Sequence, residues 1–122
     1  MLICIDKITC ARMYQRIMPH WRAKLKKVRA AAKIERDGEK RQKLEGQAKW
    51  MEETIVEIII SEAQNEVRDF KKWGFNIIPH RARMKQGFEV GGKRVDVEWA
   101  FKNPDHPFRV AIVCAMWLTG FD

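Results

Sequence analysis

Apolar positions follow two periods along this chain, and the changes between them mark its elements. Met1-Leu2-Ile3-Cys4-Ile5 is a continuous apolar run, the pattern of a strand buried on both faces. Cys10, Met13, Tyr14, Ile17 and Met18 then recur at i, i+3, i+4, i+7 and i+8. That spacing predicts an amphipathic helix, with Asp6 or Thr9 as its N-cap. Pro19 is expected to interrupt it. A second helix follows with Trp21, Leu25, Val28 and Ala32 as its apolar stripe. Asp37-Gly38 signals a turn. Glu39–Leu44 suits a helix, and Gly46 a break. Residues 47–73 admit two readings: one long helix, or a strand over Thr54–Ser61 followed by a helix from Glu62 to Trp73. Gly74 suits the position after a helix end.

Further on, Phe75–Pro79 reads as a strand ended by proline, and His80–Gly87 as a basic loop. Val90-Gly91-Gly92-Lys93 is a turn, Val95–Lys102 a short helix, and Asn103–Pro107 a tight loop. Phe108–Leu118 closes the series as a buried strand. Strand, polar turn and helix in this order predict an α/β class with a short parallel sheet. The closing strand delivers Leu118-Thr119-Gly120-Phe121-Asp122 at its carboxyl end, where open α/β sheets present groups to ligands. Such a strand is seldom the last of its domain. The chain is therefore expected to be cut within a functional site, leaving a sheet edge and apolar surface exposed.

Charge sharpens the picture. The formal net charge of +8 is unevenly spread. Residues 22–49 carry eleven Lys/Arg against four Asp/Glu, and the rest carry thirteen against twelve. A basic segment of this kind either tracks the phosphates of a nucleic acid or forms a solvated helical face. Three cysteines, Cys4, Cys10 and Cys114, have no CxxC spacing. They read as reduced, buried thiols, with no metal site expected. No run approaches a membrane span, no signal peptide is visible, and the expected location is cytoplasmic. His20, His80 and His106 read as isolated surface or loop histidines, the last shaping a turn. The five tryptophans, Trp21, Trp50, Trp73, Trp99 and Trp117, suit helix and strand interiors better than a base-stacking platform.

Several segments together resemble one family. Ala111-Ile112-Val113-Cys114-Ala115-Met116-Trp117-Leu118-Thr119-Gly120-Phe121-Asp122 resembles helicase motif V of the restriction (R) subunit of type I restriction-modification enzymes, and residues 100–109 resemble the loop leading into it. Leu2–Tyr14 resembles the strand and helix around motif IV. Ser61–Val67 and Gly74–Arg81 fit the stretch between. The resemblance implies an α/β, partial RecA-like fold, the second motor domain of a DNA translocase, over residues 1–122. Within it, 1–18 would be the motif IV strand and helix, 19–73 a mostly helical basic insertion, and 74–122 a strand-helix-strand ending in motif V. It further implies Gly120 and Asp122 near the nucleotide, and Thr119 and Lys7 near DNA phosphates. The basic segment adds Lys26, Lys27 and Arg29 as candidate DNA contacts.

In such a parent, ATP and Mg²⁺ are the cofactors. The partners are double-stranded DNA, the first RecA-like domain, and the specificity and methyltransferase subunits. The parent activity is that of an ATP-dependent type I site-specific deoxyribonuclease. This sequence departs from the requirements of that chemistry. Phosphoryl transfer needs a phosphate cradle, metal ligands and usually an arginine finger. The GxxxxGK[ST] loop is absent, and Gly87–Arg94 is a look-alike with the wrong spacing and final residue. No nuclease constellation and no later arginine motif is present. No catalytic residue is assigned, and no ATP turnover is expected of this chain alone. The alternative is a stand-alone basic module that binds nucleic acid without catalysis; a third reading is an inert remnant.

Overall fold

The computed structural model describes residues 1–114. It is a mixed α/β structure in which three parallel strands form one sheet: β1 (Leu2–Cys4), β2 (Ile55–Ile59) and β5 (Phe108–Cys114). The order is β1-β5-β2. Leu2 lies opposite Ile112 and Cys4 opposite Cys114, while Ile58 and Ile59 lie opposite Ile112 and Val113. A separate antiparallel hairpin joins β3 (Phe88–Val90) to β4 (Lys93–Val95). The helices are α1 (Lys7–Ile34), α2 (Gly38–Glu53), α3 (Glu66–Lys72), α4 (Ile78–Gln86) and α5 (Val97–Lys102).

Contacts divide the chain into two units: residues 1–14 with 55 onward, and residues 15–54. In the first, the sheet is the organising layer. One face buries Ile59, Ala111 and Val113 against Phe88, Val97, Ala100 and Phe108. In the alternate register Ile58 and Ile112 are fully buried, as is Cys10. The second unit is a helical hairpin. Trp21, Leu25 and Val28 of α1 meet Leu44, Ala48 and Met51 of α2. Asp37 caps α2 by accepting from the N–H groups of Glu39 and Lys40 at 2.9 and 3.3 Å, the usual service of a short acidic side chain at a helix start.

Four expectations are corrected. Helix α1 runs through Pro19 without a break, and α2 runs through Gly46. Phe75–Pro79 is not a strand. Asn76 accepts from the N–H of Ile78 at 3.1 Å, and Pro79 sits in the first turn of α4, where its missing N–H costs nothing. The basic stretch from His80 is therefore helix, not loop. The ambiguous stretch before it resolves as strand β2, then α3. The β-branched run at Ile55–Ile60 suits a pleated, buried position better than a helix. The expected helical insertion over 19–73 thus contains a strand of the central sheet.

Gly87–Arg94 also finds its place. Gly91 and Gly92 take φ of +57° and +79° at the tip of the β3–β4 hairpin, the two positive-φ positions of a tight hairpin turn. At Gly87, with φ +68°, a Cβ would lie 1.9 Å from the carbonyl oxygen of Val95. These glycines serve the hairpin and do not form a phosphate cradle.

Candidate functional site

Parallel strands point their carboxyl ends the same way, so the residues after β1 and β2 share one side of the sheet with the carboxyl end of β5. After β1, Asp6 caps α1. Its Oδ1 accepts from the N–H of Thr9 at 2.8 Å and from the Thr9 hydroxyl at 2.6 Å. Hydrogen bonds to the ionised form hold the Asp6 carboxyl below its ordinary range. Asp6 is therefore the cap among the two candidates. Lys7 follows as the first residue of α1.

After β2 the chain is tied to α4 by one arginine. Arg81 donates through Nε to Glu66 Oε1 at 2.6 Å and through Nη2 to Glu66 Oε2 at 2.7 Å, the fork geometry that guanidinium and carboxylate share. The same guanidinium reaches the carbonyl oxygens of Ile60 at 3.0 Å and Ser61 at 3.2 Å. Glu66 and Arg81 side chains are only 8% and 13% exposed. The Arg81 hydrogen bonds draw the Glu66 carboxyl below its usual range, against the opposing effect of burial, and the charge of Lys7 adds to the lowering. Lys7 is thereby placed in the electrostatic neighbourhood of this pair.

Beside it lies a second buried pair. Glu57, in the middle of β2, accepts from the N–H of Ile58 at 3.0 Å and pairs with Nδ1 of His80 on α4. The imidazole is stacked on Phe75 with centroids 4.9 Å apart, and Tyr14 meets it edge-on at 4.7 Å. Met84 Sδ accepts from the N–H of Ile60 at 3.3 Å. Among the described residues β2 has a strand neighbour on one side only; on the other, Glu57 accepts from the N–H of Ile58, and side chains of α4 bind the backbone of Ile60 and Ser61 just after the strand. That arrangement shields a sheet edge from other chains. At the other end of the sheet Ile3 of β1 is 54% exposed, and Ile5, just after the strand, 90%.

The remaining titratable groups have structural duties. His106 is buried, and its Nδ1 accepts from the N–H of Phe108 at 3.0 Å. Burial, with the charge of Arg83, lowers its pKa, so the ring is held neutral as an acceptor. Cys4, Cys10 and Cys114 are free and buried. Cys10 is pushed up to about 12, first by burial and then by the neighbouring thiols of Cys4 and Cys114. A thiol so placed is a small apolar filler and not a nucleophile. Among the described residues no group of three or more His, Cys, Asp or Glu is arranged to hold a metal.

The sequence-derived candidates fall in separate places. Thr119, Gly120 and Asp122 lie outside the described residues. Lys7 stands at the carboxyl edge of the sheet. Lys26, Lys27 and Arg29 are exposed on α1 in the helical hairpin. Lys26 and Arg29 line one shallow concavity with Arg22, Leu25 and Lys33, whereas Lys27 projects from a different helical face. Arg29 is paired with Glu52 at 2.6 Å.

Sequence reasoning misses Glu57, Glu66, His80 and Arg81 as a buried network, and it reads His80 as an isolated surface or loop histidine. One signal was available. A glutamate inside the apolar run Ile55-Val56-Glu57-Ile58-Ile59-Ile60 requires a partner if the run is a buried strand. The tryptophan reading is also corrected: Trp50 and Trp99 are 47% and 45% exposed. Among the described residues no helix is long and apolar enough to cross a membrane. Comparison with known protein families, with characterised proteins and with solved structures finds no match.

Proposed function

We propose that the chain is part of the second RecA-like motor domain of a type I restriction subunit, acting in ATP-dependent translocation of double-stranded DNA in the cytoplasm. One observation supports this above others. Leu2–Cys4 and Ala111–Cys114, which open the two stretches that resemble motifs IV and V, lie about a hundred residues apart, yet they belong to adjacent parallel strands, β1 and β5, with Cys4 opposite Cys114. Their carboxyl ends, one leading to Asp6 and Lys7, therefore lie side by side. In this reading the residues after β5 supply Thr119 toward DNA phosphates and Gly120 and Asp122 toward the nucleotide. Lys7 neighbours the same edge, and ATP and Mg²⁺ are held mainly by the first RecA-like domain. The specificity and methyltransferase subunits complete the assembly.

The chain's own residues position this edge. Asp6 fixes the start of α1, and Arg81 fixes the segment after β2. None of these groups is free to act as an acid or base, in keeping with a domain whose chemistry is completed elsewhere. The test is to sequence the DNA flanking this reading frame. The proposal expects a phosphate-loop coding stretch upstream and an arginine-bearing helicase motif downstream; unrelated flanks overturn it. DNA-stimulated ATP hydrolysis by the purified chain alone also contradicts it.

A second reading, a basic module that binds nucleic acid without turnover, is favoured by the distribution of charge. Residues 15–54 carry twelve Lys/Arg against six Asp/Glu.

A further inference from the structure

The two flanks of the helical hairpin differ, although both are basic. Trp21, Leu25 and Val28 face Leu44, Ala48 and Met51 across the interface. Successive helical residues are rotated by about 100°, so each helix shows one flank on either side of that stripe. On one side a groove is lined by Arg29, Lys33, Arg41 and Lys49, but also by Glu45 and Glu52. The carboxylates neutralise part of its charge, and Glu52 already holds Arg29.

The other flank has one carboxylate, Glu39, at its end in the first turn of α2. Helical spacing places Lys24 and Lys27 of α1 there, with Lys43, Gln47 and Trp50 of α2. All five are exposed. Among the described residues none of the ion pairs involves Lys24, Lys27 or Lys43. The indole of Trp50 is 47% exposed and leans on Trp21, with centroids 6.2 Å apart and planes tilted by 36°. Trp21 is itself anchored, its indole N–H donating to the carbonyl oxygen of Met51 at 2.9 Å. Trp50 is thus a large aromatic surface braced by a fixed neighbour, set within a cationic flank whose one carboxylate, Glu39, lies about three helical turns away.

We propose that this flank binds single-stranded nucleic acid, with a base stacking on Trp50 and the phosphates lying along Lys24, Lys27 and Lys43. The chemistry selects this partner. Every unpaired base has a π-face to offer an indole, and the stack is indifferent to sequence. A duplex presents only phosphates to such a flank, its base faces being already stacked. An acidic protein surface would satisfy the lysines and leave the exposed indole without a role. Lys43 and Trp50 are seven residues apart on α2, about 10 Å along the helix axis, the reach of a few nucleotides. This inference does not require the motor reading: the hairpin's charge and its aromatic surface stand by themselves.

The test uses the full chain and a fluorescein-labelled oligothymidylate of about twelve nucleotides, compared with the duplex of the same length. The single strand is expected to bind more tightly. Trp50→Ala is expected to weaken binding roughly ten-fold, with Trp50→Phe retaining most of it. Lys24, Lys27 and Lys43 changed together to Ala are expected to lower the slope of log affinity against log salt by about two. These lysines are exposed, so that variant reads binding even if Trp50→Ala perturbs the fold. Three results overturn the proposal: no binding at low salt, a duplex bound as tightly as the single strand, or an equal loss of slope when Arg22, Lys26 and Lys33 on the opposite flank are changed instead.

Discussion

At the edge of β2, Glu57, Glu66, His80 and Arg81 are withdrawn from water and each is bound to a partner. On the α1–α2 hairpin, Lys24, Lys27, Lys43 and their neighbours stand in solvent. The same residue types thus do opposite work. Buried charges are costly unless paired and hydrogen-bonded, so where they occur they specify geometry. Exposed charges contribute little to folding and remain available to a partner. The first region sets how the sheet edge is closed; the second sets what the surface attracts. Each substitution below tests whether the two roles separate.

The largest effect is expected at Arg81. Arg81→Met leaves Glu66 buried with only the weak contact from the N–H of Ala63 at 3.4 Å, and releases the carbonyls of Ile60 and Ser61. Removing one member of a buried ion pair typically costs about 3–5 kcal/mol. Urea denaturation should show a loss of that order, and a loss below about 1 kcal/mol would place the pair among ordinary surface bridges. Adding Glu66→Leu should restore much of it, because the uncompensated charge is then gone.

The same pair gives a pH signature. The folded-state Glu66 carboxyl lies below its ordinary value, while the unfolded chain titrates near about 4.3. The stabilisation is therefore fully present above that unfolded value and is lost as pH falls through the lower folded one. Stability measured from neutral to acid pH should fall less steeply in the Arg81→Met, Glu66→Leu double variant than in the parent.

A smaller effect is expected at His80. His80→Phe keeps a ring between Phe75 and Tyr14 but takes the Nδ1 partner from Glu57, leaving the N–H of Ile58 as the carboxylate's hydrogen bond. Loss of a buried partner of this kind costs about 1–3 kcal/mol. Opening of the β2 edge should follow, seen as faster amide exchange at Ile58 and Ile60 than at Ile112. Unchanged exchange at Ile58 and Ile60 would mean that α4 closes the edge by packing alone.

Little of the first region was legible in the sequence, and much of the second was. Apolar periodicity located β1, the outer stripe of α1 and β5, because each element's pattern is local. The charge of residues 15–54 was legible for the same reason: charge adds up along a sequence without knowledge of contacts. Closure of the β2 edge depends on Glu57 meeting His80, and Arg81 meeting Glu66, across 23 and 15 positions. No periodicity encodes such meetings. Pro79 after an apolar run suggests a terminator, yet it lies in the first turn of α4, since proline's missing N–H is compatible with either end of an element. Pro19 by its residue type predicts a break, yet α1 passes through it. The position of Trp50 within a helical stretch suggests an interior, yet it lies off the Leu44-Ala48-Met51 stripe of α2 and its indole is largely in solvent.

Cys10 extends the contrast to a neutral group. With its thiol pushed up to about 12, against about 8.5 in an unfolded chain, the folded state withholds ionisation. Stability from this group is intact below the unfolded value and declines as pH rises from there toward the folded one. Cys10→Ala should flatten the alkaline limb between about pH 8.5 and 10, below the main titration of lysine and tyrosine. Native protein should also react with a thiol reagent only at the rate of local opening. Immediate labelling of Cys10 would contradict its burial.

The smallest effect is expected at Arg29 and Glu52, and it is the most discriminating. Their separation of 2.6 Å is as short as that of Arg81 and Glu66, but the side chains are 47% and 63% exposed. Distance alone would rank the two pairs as equals. Exposure predicts otherwise: water screens the attraction, and two long side chains lose freedom in holding it, so such bridges are worth about 0–1 kcal/mol. A double-mutant cycle of Arg29→Ala and Glu52→Ala should give a coupling at or below about 0.5 kcal/mol, smaller still at high salt. Glu52→Ala alone should then strengthen polyanion binding slightly, because it frees Arg29 and removes a carboxylate from the groove. A coupling of several kcal/mol would mean that the hairpin's charges are structural after all, and the distinction between the two regions would fail at its weakest point.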